Sequence, residues 1–226
     1  MPNIVTAGED SILIYFGNTI NSELIAIISS ATTQLQSQLG GLIINLTPAY
    51  TSLLVQYNLN KINHQDFCTK VEDCLRKSDD TAEPLSSKLI HIPVYYDFDT
   101  GLDLEMMLAA KNLDLNSFIE IHSSVEYLVY ALGFSPVFAF LGEVDVRIQM
   151  PRLATPRISI PAGSVGIADS QTAIYPTQSS GGWNIIGRTP LDLSLNNPKN
   201  IDKFNLGDRV KFIPITQTEY LNQGGQ

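Results

Sequence analysis

Three arginines, Arg152, Arg157 and Arg188, flank one glycine-rich stretch, "PAGSVGIADSQTAIYPTQSSGGW" (161–183), in a chain with only 14 lysines and arginines. A guanidinium is a planar fork of donors that grips a carboxylate or a phosphate at two points. Ordinary surface salt bridging is the plain alternative for all three. The stretch between them is short of charge and ends on the only tryptophan, Trp183. Its glycines either turn the chain between short strands or leave backbone exposed to a small ligand. His122 stands at the predicted end of a helix, where the dipole favours the imidazolium form, with a simple helix cap as the competing reading.

Other chemistries find little support. "AGSVG" around Ser164 nearly matches a nucleophile elbow, but strand-like sequence follows where a helix is required. Ser164 is therefore read as a turn residue or a donor to a ligand. There is no G-x-x-x-x-G-K-[ST] or G-x-G-x-x-G, which removes the usual nucleotide and dinucleotide signals. The three histidines and two cysteines form no zinc-spaced cluster, so no metal site is expected. Cys68 and Cys74 fall on different faces of one predicted helix and are read as reduced structural thiols. The net charge of -9 argues against nucleic acid as a partner. The first residues have no basic n-region or apolar h-region, and no apolar run is long enough to cross a bilayer. A cytoplasmic protein without membrane contact is expected.

The elements that must position these residues divide into two sets. In the first, "SILIYFG" (11–17), "LIINL" (42–46), "SLLVQY" (52–57) and "KLIHIPVYY" (88–96) read as strands. A helix from Asn21 to Leu39 carries an apolar stripe, Leu24, Ile28, Ala31, Leu35 and Leu39, and stops at Gly40-Gly41. A second helix begins at Asn63, with Asp66 three residues on, and buries Phe67, Val71, Cys74 and Leu75. A polar loop covers 78–87. This order, β-α-β-β-α-β, is that of ferredoxin-like domains. After residue 96 come two short helices, over 102–111 and 116–123. Short apolar runs then alternate with Gly and Pro, as in a barrel or sandwich. The expectation is an α+β chain with domains over 1–95 and 96–226.

Several runs, in order, resemble one known family: "IPVYY" (92–96), "IHSSVEYLVYALGFSPVFAFLG" (121–142), "PRLATPRISIPAGSVGIA" (151–168), "QTAIYP" (171–176) and "GGWNIIGRTP" (181–190). The family they resemble is that of the 5-oxoprolinase B subunits, also called the KipI family or allophanate hydrolase subunit 1. "AGEDSILIYFG", "TPAYTSLLVQY" and "LGDRVKFIPI" extend the resemblance to nearly the whole chain. It implies a small N-terminal α/β domain followed by a C-terminal cyclophilin-like β-barrel.

The resemblance implies ATP-dependent opening of 5-oxo-L-proline to L-glutamate, in a hetero-oligomer with the homologous 5-oxoprolinase C subunit and the A subunit. ATP, with magnesium, is expected at a shared interface between subunits. The implied catalytic residues are His122, Tyr127 and Arg188. Substrate or nucleotide contacts are implied for Arg152, Arg157, Gly163, Ser164, Gln171, Gly181, Gly182 and Trp183. The alternatives are a KipI-like inhibitor of a sensor histidine kinase and a carboxyltransferase component resembling urea carboxylase, which works with biotin. The chain departs from the family at Val137 and Asp169, where glycine is usual, and at Ser180, where proline is usual.

Overall fold

The structure, a computed structural model, describes residues 2–76 and 87–226. The loop predicted over 78–87 thus falls, apart from Ser87, outside the described residues. The chain divides into two compact units, residues 1–86 and 87–226.

The first unit contains β1 (Asn3–Thr6), β2 (Ser11–Tyr15), α1 (Ser22–Leu39), β3 (Ile43–Ala49), β4 (Ser52–Tyr57) and α2 (His64–Arg76). Its strands pair antiparallel in the order β1-β2-β4-β3. Strand alternation turns Ile12, Ile14, Leu53 and Val55 inward. Asn21 caps α1 by accepting from Leu24 N–H at 2.8 Å, and the apolar stripe buries Leu24, Ile28, Ala31 and Leu35. At the start of α2, Asp66 N–H donates to Asn63 Oδ1, and Asn63 Nδ2 donates back to the Asp66 carboxylate. Neither Cys68 nor Cys74 forms a disulfide.

One expected strand lies elsewhere. The place beside β2 is taken by β1, from the start of the chain, and not by the segment 88–96. That segment forms β5 (Leu89–Val94) and pairs in parallel with β13 (Arg209–Pro214) in the second unit. The reason is burial: its inward residues Ile90, Ile92 and Val94 belong to that unit's core. A local β1–β2 hairpin fills the first sheet's edge at small entropic cost.

The second unit continues with α3 (Leu104–Lys111), α4 (Leu115–Ser123), β6 (Glu126–Leu132), β7 (Ala139–Gly142), β8 (Arg157–Ile160), β9 (Ser164–Ala168), β10 (Gln171–Ile174), β11 (Ser179–Gly181), β12 (Asn184–Arg188), β13 and α5 (Gln217–Asn222). Its main sheet runs β5-β13-β6-β7-β10-β9-β12, antiparallel except at β5–β13. The sheet closes on itself. Just past β5, Tyr95 exchanges two main-chain hydrogen bonds with Arg188 at the end of β12, each 2.9 Å. The enclosed core includes Ile92, Phe118, Val129, Leu141, Ile186 and Phe212. β8 and β11 stand apart as a two-stranded ribbon.

The two glycine departures fall on left-handed backbone. Val137 has φ +68° and Asp169 φ +52°. Asp169 opens the two-residue turn between β9 and β10, where an aspartate is tolerated. A β-branched valine in this region is strained, by about 1–3 kcal/mol. Replacing Val137 by Ala or by Gly removes its packing either way, but only Gly relieves the backbone. Val137→Gly should therefore be more stable than Val137→Ala by about 1 kcal/mol in urea unfolding, reversing the usual order of the two residues. An alanine variant equal to or above the glycine variant would show that the backbone at 137 is unstrained.

Candidate functional site

The residues singled out in the sequence separate into three settings. The first is an aromatic cluster in the second unit, packed from Phe138, Tyr175 and Trp183 with Ile160, Ala173 and Ile185. The Trp183 ring meets Phe138 edge-on at 5.9 Å, and Tyr175 meets Phe138 edge-on at 5.4 Å, the geometry that ring quadrupoles favour. Phe140 leans on Trp183, and Phe134 stands at the rim, largely exposed. The exposed Arg152 places its guanidinium 5.8 Å from the centre of the Trp183 ring, a cation–π contact.

The polar edge of this cluster is made by Tyr175. Its hydroxyl accepts the Trp183 main-chain N–H and lies in the field of Arg152 and Arg157. Burial raises the phenol above its ordinary value, and those three groups pull it back down. Gly181 lies so close that a Cβ there would collide with the Tyr175 hydroxyl, so a side chain is excluded. Gly182 accepts Leu153 N–H at 2.7 Å, which brings the segment carrying Arg152 alongside.

Arg157 reaches the same place but is not available to a ligand in the same way. Nη1 and Nη2 donate to the two carboxylate oxygens of Asp103 at 2.8 and 2.6 Å. The Asp103 side chain is 6% exposed. The pair is therefore a bidentate ion pair with no net charge, its carboxylate nearly buried and its guanidinium partly exposed.

The second setting is the turn over 161–164. Arg188 Nε donates to Ala162 O at 2.8 Å, and its Nη1 to Gln226 O at 2.7 Å. Gly163 has φ +81°, its N–H donates to Tyr175 O, and its carbonyl accepts Thr189 N–H. Ser164 is buried in β9, opposite Arg188. The expected approach of the Gly163 N–H to an anion thus meets a bond already made within the barrel. Gln171 opens β10, opposite Ala168 and Gly142.

The third setting is the barrel core. His122 is fully buried, stacked on Phe212 with ring centres 4.7 Å apart. Its Nε2 meets Thr172 Oγ1 at 3.1 Å, and Thr172 donates onward to Gly166 O. The imidazole therefore donates from Nε2 and accepts at Nδ1 from Tyr96 O–H at 2.8 Å, which fixes the neutral tautomer. Tyr127, also fully buried, donates to His122 O. Burial lowers the His122 pKa to about 3, which outweighs the helix-end dipole that argued for the charged form.

The structure thus gathers Arg152, Arg157, Gly181, Gly182 and Trp183 and holds His122, Tyr127, Arg188, Gly163 and Ser164 in other surroundings. Sequence reasoning missed Tyr175 and Asp103. "TAIYP" reads as plain strand, and Asp103 falls within the helix expected over 102–111. Among the described residues, no group of three or more His, Cys, Asp or Glu is arranged to hold a metal ion, and no helix is long and apolar enough to cross a membrane.

The buried histidine makes stability depend on pH with a definite sign. Its folded pKa lies below the ordinary 6.5, so unfolding takes up a proton between pH 6.5 and about 3. The contribution is fully present above pH 6.5 and is lost as pH falls through that window. Urea unfolding of the wild type should weaken faster with falling pH than that of His122→Gln, by about one proton's slope. Equal slopes would mean that His122 titrates freely in the folded barrel.

Comparison with known proteins places this architecture. Residues 2–200 match the family model described as carboxyltransferase domain, subdomain C and D. The chain is 37% identical over 224 residues to the 5-oxoprolinase B subunit of Bacillus subtilis (strain 168), covering 94% of this chain and 92% of that one. The crystal structure of TTHA0988 superposes with a TM-score of 0.80 at 28% identity, over 91% of this chain. The match spans only 40% of that longer protein. The Kluyveromyces lactis urea carboxylase shares the fold at a TM-score of 0.77 and 18% identity, over 99% of this chain and 23% of that one. The chain belongs to the carboxyltransferase-domain family, subdomains C and D, and resembles the 5-oxoprolinase B subunits of that family along nearly its whole length.

Proposed function

We propose that this chain is the B subunit of an ATP-dependent 5-oxoprolinase and acts only in complex with partner subunits. The observation that carries the reading is the 37% identity to a 5-oxoprolinase B subunit over 224 residues. The aromatic cluster and the Arg152 beside it suit the substrate class. A five-membered lactam is compact, and its near-planar ring can pack on an aromatic side chain such as Trp183 while its amide and carboxylate need polar partners. Arg152 beside that ring supplies a charge for the substrate carboxylate.

The lactam amide is unreactive, so the reaction needs activation: ATP and water are consumed, and ADP, phosphate and L-glutamate are formed. Transfer of a phosphoryl group to the lactam oxygen makes the ring carbon open to attack by water. We assign ATP with its magnesium to an interface with the homologous C subunit, and ring opening to the A subunit. Within this chain two of the expected phosphate donors are already engaged: the Gly163 N–H donates to Tyr175 O, and Arg188 Nε to Ala162 O. In this reading the first unit is ferredoxin-like with its edge strand supplied by β1, the second is a cyclophilin-like barrel, and the complex works in the cytoplasm.

Reconstitution with the two partner subunits tests the proposal by glutamate release from 5-oxoproline. Release should require ATP and this chain. Arg152→Ala should raise KM by about tenfold to a hundredfold, the loss of one charged hydrogen bond. Undiminished release by a complex that lacks this chain would refute the assignment.

A further inference from the structure

The β8–β11 ribbon is joined to the rest of the second unit in an unusual way. Its ladder connects β8 only to β11, and the two strands form a sheet of their own. On β11, the buried Ser179 Oγ meets no hydrogen-bond partner among the described residues. The ribbon packs on the aromatic cluster: Ile160 belongs to the same cluster as Trp183 and Tyr175, and Gly181 sits against the Tyr175 hydroxyl.

Beside the Leu153 N–H bond to Gly182 O just past the end of β11, a side-chain link to β12 runs through Asp103. This residue lies outside the ribbon, directly before α3, and exchanges main-chain and side-chain bonds with one residue of β12. Asp103 N–H donates to Ile185 O at 2.9 Å, and Ile185 N–H donates to Asp103 Oδ2 at 2.7 Å. The carboxylate is thereby fixed to the barrel wall. Arg157, the first residue of β8, then docks on it through both Nη atoms. The partners are 54 residues apart in sequence, and the carboxylate is nearly buried while the guanidinium is partly exposed, so the attraction is only partly screened.

We propose that Asp103 is a positioning residue of the aromatic cluster around Trp183. It latches the β8–β11 ribbon to β12 through Arg157, and so holds Gly181, the Tyr175 hydroxyl and the wall beside Trp183 in the geometry that receives substrate. Arg157 acts as the other half of the latch, and Arg152 is left as the cation facing the ligand. The claim that this geometry serves substrate rests on the 5-oxoprolinase reading. The claim that the pair holds the ribbon does not.

Trp183, the only tryptophan of the chain and 5% exposed, reports on the latch directly. Acrylamide quenching of its fluorescence in the isolated chain should rise at least about twofold in Asp103→Asn and in Arg157→Lys, with far-UV circular dichroism unchanged. Asp103→Asn keeps an acceptor for Ile185 N–H but loses the charge, and Arg157→Lys keeps the charge but loses the fork. If one variant does not fold, the other decides. In the reconstituted complex both should raise KM for 5-oxoproline by about tenfold, with kcat changed by less than about threefold. Unchanged quenching in the folded variants overturns the latch. Raised quenching with unchanged KM and kcat overturns the positioning role. A wild-type complex with no lactam-opening activity counts against the enzymatic reading, and the quenching arm then still decides whether the pair holds the ribbon.

Discussion

Two main-chain hydrogen bonds between Tyr95 and Arg188 convert an open sheet into a closed wall, and the second unit depends on that closure. Closure removes the free edges of β5 and β12 and leaves an interior that only side chains can fill. It also demands close approach. A Cβ at Gly187 would lie 2.7 Å from Tyr95 O, so the residue beside the joint has none. With the wall shut, β12 becomes a fixed frame. One of its residues, Ile185, holds Asp103, and its neighbour Asn184 donates to Ile167 O and Pro151 O. The aromatic cluster is built against this frame.

Burial, more than residue type, decides what each polar side chain does. His122 has a residue type and a position that suggest proton transfer. Enclosed against Phe212, with both ring nitrogens engaged, it ties α4 to β10 as a neutral group. Arg157 and Arg152 lie five residues apart in one segment. One is neutralised in a bidentate pair with a nearly buried carboxylate, and the other stays exposed over an aromatic face. Loss of Arg157 is costly, because Asp103 would be left as a buried unpaired charge. Such a pair suits a latch better than a ligand contact.

Much of the local structure was legible in the sequence, since it follows from nearest neighbours. The Asn21 cap, the stripe of α1, the Asn63–Asp66 exchange and most short strands arise from contacts within a few residues. The partner of β5 was not legible. β13 lies about 120 residues away, and an alternating apolar run looks the same whether it joins one sheet or another. β1 is too short and too exposed to stand out from a polar leader. The aromatic cluster was legible in part: arginines, glycines and a lone tryptophan crowd one segment. Asp103 and Tyr175 were not, because one falls within an expected helix and the other resembles a core strand residue. The resemblance to a family marked Val137 and Asp169 as departures, and their positive φ values give the physical reason that glycine is usual there.

The account rests on Trp183 lining the place where a small lactam anion binds. With this chain alone carrying 5-fluorotryptophan, the assembled complex contains a single fluorine resonance from Trp183. Addition of 5-oxoproline should shift that resonance, and the shift should saturate over the same concentrations as glutamate release. A resonance that stays in place while the complex turns over 5-oxoproline would put the substrate elsewhere and contradict the account.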